Sequence, residues 1–233
     1  MAKRRKAVNR VKKVTRLRRP RKRQATVPAS LERLERFYGP LAQPPSDPFA
    51  LYVWEVLSLH TTRPRRDNAM NALRRIPALT PDSMGRVARA KLEAAVAFAG
   101  PYRDERIRAL MAGVEVFRRN RDFADRLRSD MSAALQVLTL LPHLSSVSGQ
   151  WMLLLAGGHL MLPDDPQIQR VLTRLGSDVT RAEREIGEVL PARQRAALYL
   201  AYHGQATCVE TDPICRICPL KPICPYAKRS HAA

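Results

Sequence analysis

The chain has 233 residues, 45% of them hydrophobic, and a formal net charge of +20. That much apolar sequence supports one large domain or two small ones and excludes wholesale disorder, while the charge favours a polyanionic partner such as nucleic acid. The most apolar stretch, Trp151 to Leu162, holds two glycines and a histidine and is too short to span a bilayer, so no membrane association is expected.

The charge is unevenly placed. Residues 1–30 carry thirteen Lys or Arg and no acid, leaving 28 bases against 21 acids in the remainder. Residues 1–30 therefore read as a basic, disordered or transiently helical arm. From Leu31 onward the apolar spacing is helical. "SDPFALYVWEVLSLH" has Ser46 or Asp47 as a cap, Pro48 in the first turn and an apolar run to Leu59. "TPDSMGRVARAKLEAAVAFAG" repeats that pattern from Thr80 and stops at Gly100. Further helices are predicted for Arg103 to Asn120, Asp122 to Arg128, Ser132 to Leu140 and Ser148 to Ala156. In "DDPQIQRVLTRLG", Asp165 caps, Pro166 opens and Gly176 ends the next helix. Arg181 to Leu190 and Pro191 to Tyr202 complete the series, the last closed by Gly204. No segment alternates with the period of a strand. An all-α protein of about ten helices follows.

The only four cysteines are Cys208, Cys215, Cys218 and Cys224, spaced C-x6-C-x2-C-x5-C. Disulfides would tie this short loop only to itself and would need an oxidising compartment. Zinc and an iron–sulfur cluster both accept four thiolates, and the spacing by itself leaves the two open. Pro213, Pro219, Pro222 and Pro225 would stiffen the loop and reduce the entropy lost on ligation. An intracellular, cytoplasmic location is expected, nucleoid-associated in a bacterium.

The cysteine spacing, together with the lead "YHGQATC" from Tyr202 to Cys208, resembles the 4Fe–4S loop of the endonuclease III family of helix–hairpin–helix DNA glycosylases. Upstream, "LPHLSSVSGQWMLLLAGG" occupies the place of that family's hairpin, and "DDPQIQRVLTRLG" that of its "VDTHIxRVxxRLG" segment. "DPFALYVWEVLSLHTT" stands where the family has a "PFELLIAxxLSAQTT"-like helix. The resemblance covers about 31–226. It implies a two-lobed, all-α glycosylase fold: residues 31–50 plus 161–206 in one lobe, a helical barrel over 51–160 with the hairpin at 141–149, and a cluster loop at 207–226. It implies a 4Fe–4S cluster on the four cysteines. It also implies double-stranded DNA carrying a damaged base or abasic site as partner, bound by a monomer.

The resemblance makes Asp165 the counterpart of the aspartate that stabilises positive charge as the glycosidic bond breaks, a role one carboxylate can fill. Read from its own residues alone, Asp165 before Pro166 is a plain N-cap. The family's hairpin lysine, which attacks sugar C1′ in bifunctional members, aligns with Val147, so lyase activity should be weak or absent. His143 and Ser145 stand for hairpin glycines and, with Ser146, Ser148 and Gly149, are expected to meet a DNA phosphate. His60 aligns with a glutamine that fills the gap left by a flipped base, and Arg63 stands where an acidic residue is expected. Arg216 and Lys221, with Lys228 and Arg229, are expected to face the DNA backbone. Three functions follow: a monofunctional glycosylase in base-excision repair, a catalytically altered DNA-binding relative, and, least favoured, a glycosylase/lyase with a displaced amine.

Overall fold

A computed structural model describes residues 26–230, so the arm falls largely outside the described residues. Thirteen α-helices and one π-helical turn are described, with no strand among the described residues. In chain order they are α1 (Val27–Tyr38), α2 (Pro48–Ser58), α3 (Arg63–Arg75), α4 (Pro81–Met84), α5 (Arg89–Ala97), α6 (Arg103–Arg119) and α7 (Phe123–Arg128). Then come α8 (Met131–Leu138), α9 (Ser146–Met152) running into a π turn at Leu153–Gly157, α10 (Pro166–Arg174), α11 (Val179–Ile186), α12 (Leu190–Ala206) and α13 (Pro225–Ser230). No described helix is long and apolar enough to cross a membrane.

Several boundaries differ from the sequence reading, each for a local reason. The arm was expected to reach residue 30. Instead α1 begins at Val27, where Thr26 caps, Pro28 fits the first turn, and the Val27 N–H donates to Glu185 Oε2 at 2.7 Å. The expected helix over 80–100 is two helices, α4 ending at Gly85 and α5 beginning at Arg89. Helix α3 was not anticipated: its buried face is only Ala69, Met70 and Leu73 among arginines. Gly204 does not stop α12 but lies inside it, because the backbone and Cβ of Gln167 leave no room there for a side chain. Gly187, at φ +80°, ends α11 earlier than expected.

Two hydrophobic clusters organise the packing. One gathers α2 to α8 around Tyr52, Leu110, Phe123 and Leu127, and the other packs α1 and α10 to α13 around Leu34, Leu154, Ile168 and Leu172. Helix α9 and its π turn serve both, Met152 and Leu153 packing into the first and Trp151 and Leu154 into the second. A cleft opens where the two clusters meet along α9.

Candidate functional site

The cleft has a volume of about 160 Å³ and takes side chains from both clusters: Trp54, Glu55 and Ser58 of α2, Arg63 and Arg66 of α3, Val147 and Trp151 of α9, Asp165 before α10, and Gln205 of α12. Asp165 caps α10 as its sequence suggests, accepting from the Gln167 N–H at 2.7 Å. Its other oxygen accepts from Trp151 Nε1 at 3.1 Å, so the carboxylate is held from both sides and stays partly open to the cleft. Val147 lines the same cleft, and no lysine among the described residues does.

The sequence reading missed Glu55. Helix α2 is apolar on nearly every face, so its one glutamate is carried inside, 6% exposed. Ser148 hydrogen-bonds to the carboxyl, while Oε1 has no partner. Burial pushes the carboxyl up from 4.5 to about 7; Ser148 and Arg66 oppose the rise, and Asp165 adds to it. Because its folded pKa is raised, Glu55 contributes stability that is fully present below pH 4.5 and lost as pH rises through about 7. Unfolding free energy should therefore fall between pH 5 and 8 by up to ~3 kcal/mol on account of this group. Urea titrations of wild type and Glu55→Gln check this, since the variant should lack that part of the slope.

Ser148 and Gly149 were expected at the DNA face. Both are buried, and their N–H groups go to Ser145 Oγ and Ser145 O at 3.0 and 2.8 Å. Ser145 is the N-cap of α9 at φ −72°, so it does not take the unusual backbone angle of a glycine. His143 does, at φ +59°, and is exposed beside exposed Ser145 and Ser146.

His60, at φ +49°, and Tyr102, at φ +66°, share a second cavity of about 270 Å³ with His143. Three of the four non-glycine residues of positive φ in the described chain thus meet at one place. The buried Arg106 holds it, donating to Leu59 O at 2.5 Å and to Pro101 O, one residue before each of the strained positions His60 and Tyr102. The His60 and Tyr102 rings lie 5.4 Å apart. Strain preserved in this way is a mark of functional surfaces.

All four cysteines are free thiols lining one cavity, together with Arg174, His203 and Leu220. Burial pushes the Cys218 thiol up to about 11 and raises Cys215. No three His, Cys, Asp or Glu side chains among the described residues are grouped closely enough to hold a single metal ion. The loop is tied to α10: Arg170 Nε donates to Cys208 O at 2.8 Å, and Arg174 donates to Val209 O at 2.7 Å and Glu210 O at 2.9 Å. His203, made a poor base by burial at about 4, meets Tyr38 Oη at 2.7 Å and Cys218 Sγ at 3.5 Å. Arg216, Lys221, Lys228 and Arg229 are exposed.

No family model matches the chain. It is 32% identical to the endonuclease III of Synechocystis sp. (strain ATCC 27184 / PCC 6803 / Kazusa) over 72 residues, 28% of this chain and 33% of that one, and so spans about a third of the curated relative it matches. The likeness in fold is wider. A non-covalent endonuclease III–DNA complex matches with a TM-score of 0.64 and 20% identity over 89% of this chain and 97% of that one. A trapped endonuclease III–DNA covalent intermediate, an estranged-adenine complex, gives 0.63 and 19% over 88% and 97%. A thermostable thymine-DNA glycosylase gives 0.64 and 16% over 87% and 95%. The chain is thus similar in sequence to an endonuclease III over 72 residues and shares the all-α fold of those solved glycosylases.

Proposed function

We propose that the chain is a monofunctional DNA glycosylase of base-excision repair, acting on a base flipped into the cleft between its two hydrophobic clusters. The observation that carries this is the pair of carboxyls facing that cleft in unlike settings. Glu55 is dry and, at about 7, poised to give up a proton near neutral pH. Asp165 is fixed by two N–H donors at a helix start. Glu55 protonates the departing base, and Asp165 stabilises the positive charge left on the sugar and orients the attacking water. The base leaves with the Glu55 proton, the water oxygen bonds to C1′ as its proton passes to Asp165, and solvent then returns a proton to Glu55 as Asp165 gives its own up.

Val147 lines the cleft at the position the resemblance gives to an amine, and no lysine among the described residues lines it. Borohydride should therefore trap no covalent adduct on damaged duplex DNA, and a trapped band on a denaturing gel would restore the lyase. The paired strand is met at the second cavity, where His60 and Tyr102 fill the gap left by the flipped nucleotide and His143, with Ser145 and Ser146 beside it, approaches the backbone. Arg216 and Lys221 extend that contact.

The four thiols line one cavity together. Cys208, Cys215, Cys218 and Cys224 would hold a 4Fe–4S cluster, whose part here is to clip the loop in place. Release of bases from a panel of damaged duplexes tests the whole reading. Excision of at least one lesion, lost in Asp165→Asn, is the expected result. Tight binding to abasic DNA with no excision of any lesion would instead favour the catalytically altered relative.

A further inference from the structure

His203, in the last turns of α12, is 1% exposed, and each of its ring nitrogens has a neighbour. Nδ1 lies 2.7 Å from Tyr38 Oη, and Nε2 lies 3.5 Å from Cys218 Sγ. Tyr38 Oη is also 2.7 Å from Oγ1 of Thr207, itself buried at the end of the same helix. Thr207, Tyr38, His203 and Cys218 thus form one line of hydrogen bonds from a hydroxyl to a sulfur. Nothing in the proposed excision chemistry uses it.

The line can run in either direction. With a thiol at its end, Cys218 S–H donates to Nε2, Nδ1–H to Tyr38, and the Tyr38 hydroxyl to Thr207. A ligating cysteine is a thiolate and has no proton to give, so the order must reverse. Thr207 O–H then donates to Tyr38, the Tyr38 hydroxyl to Nδ1, and Nε2–H to the sulfur. A neutral imidazole carries one N–H, and the nitrogen that bears it is decided by what the other one meets. Here the other one meets Tyr38, whose ring is itself held edge-on against Tyr202 at 4.7 Å. Among the described residues a second side chain reaches a cysteine sulfur as a donor, Arg174 Nη1 at 3.3 Å from Cys208 Sγ. Arg174 donates whatever its surroundings; His203 does so only in the tautomer that Tyr38 selects.

We infer that His203, held by Tyr38 with its proton on Nε2, donates to the Cys218 sulfur of the ligated loop and raises the reduction potential of the cluster held there. This rests on the proposed 4Fe–4S occupancy of the four thiols. A ligand sulfur carries more negative charge in the more reduced state, so a donor aimed at it favours that state and resists loss of an electron. His203 is a positioning residue in this scheme and touches no reacting base.

The test is a redox titration of full-length protein purified without oxygen. Ferricyanide takes one electron from the resting cluster and becomes ferrocyanide, and no bond changes. In His203→Leu the ratio of reduced to oxidised cluster at a fixed potential should drop about 10-fold, equivalent to ~59 mV for one electron. His203→Gln keeps an N–H and should lose less than about 3-fold. Tyr38→Phe keeps the ring against Tyr202 and removes only the hydroxyl, so it should drop the ratio about 3-fold; it carries the test if His203→Leu does not fold. Nitrogen-15 spectra of histidine-labelled wild type should show His203 protonated on Nε2, and a proton on Nδ1 alone would overturn the inference. A thermal midpoint that falls in these variants with the potential unmoved would make His203 a packing residue and overturn it as well. A colourless wild type loaded with zinc would overturn it together with the cluster reading, whereas a loaded cluster whose potential ignores all three variants would overturn it alone.

Discussion

Single-turnover release of the damaged base should fall by about 10³-fold in Asp165→Asn and by about 10²–10⁴-fold in Glu55→Gln, with little change in affinity for abasic-site DNA. The two losses have different causes, and pH separates them. Glu55 works as an acid only while protonated, so the wild-type rate should fall as pH rises above about 7, where the carboxyl ionises. Glu55→Gln keeps the shape of the side chain but has no proton to give, so its residual rate should be flat across that range. Asp165→Asn retains Glu55, and its much slower rate should still bend near the same pH. The double variant should be little worse than the poorer single one, because the acid and the charge stabiliser act on one transition state. A Glu55→Gln enzyme with wild-type rate and an unchanged profile would remove the acid from the mechanism. Loss of abasic-site binding in the same variant would trace the defect to packing under α9, where Ser148 rests on Glu55.

Helix α10 was legible from its letters because its two ends carry strong signals. Asp165 before Pro166 can cap and open a helix, and Gly176, at φ +77°, can leave one. What the letters did not show is that one end of this helix faces the cleft while Arg170 and Arg174, further along, hold the cysteine loop. Helix α3 was hidden because three buried apolar residues among five arginines give no clear period. Gly204 was misread because a glycine in a helix is a stop or a contact, and only the approach of α10 decides between them. Glu55 had a signal that went unused: a single charge inside "PFALYVWEVL", apolar on every side, has no solvent face to turn toward. Tyr102 had none. Its place beside His60 depends on the buried Arg106 drawing two loops together.

Loss of the proposed cluster should loosen the loop and leave the two helical cores standing. Between Thr207 and Pro225 the chain forms turns and no helix or strand, and its few backbone hydrogen bonds, such as Ile214 N–H to Thr207 O at 2.9 Å, are short-range. Outside help comes from the Arg170 and Arg174 side chains, which grip residues 208–210, from His203 beside Cys218 Sγ at 3.5 Å, from Arg174 O, which accepts from Cys224 Sγ at 3.4 Å, and from the burial of Leu220 in the second cluster. Ligation of the four thiols would add to these holds, and ligation energy there is folding energy. Protein purified without oxygen should be brown, with iron and inorganic sulfide in equal amounts. Cys215→Ser should lose the colour, and its thermal midpoint should fall by roughly 10 °C if ligation contributes several kcal/mol. Far-ultraviolet helicity should change little, because the helices outside the loop draw on Leu34, Ile168 and Leu172 rather than on the thiols. Salt-sensitive DNA binding should weaken in the same variant, since Arg216 and Lys221 ride on the loop. A colourless wild type holding one zinc per chain would replace the cluster with a four-thiolate ion.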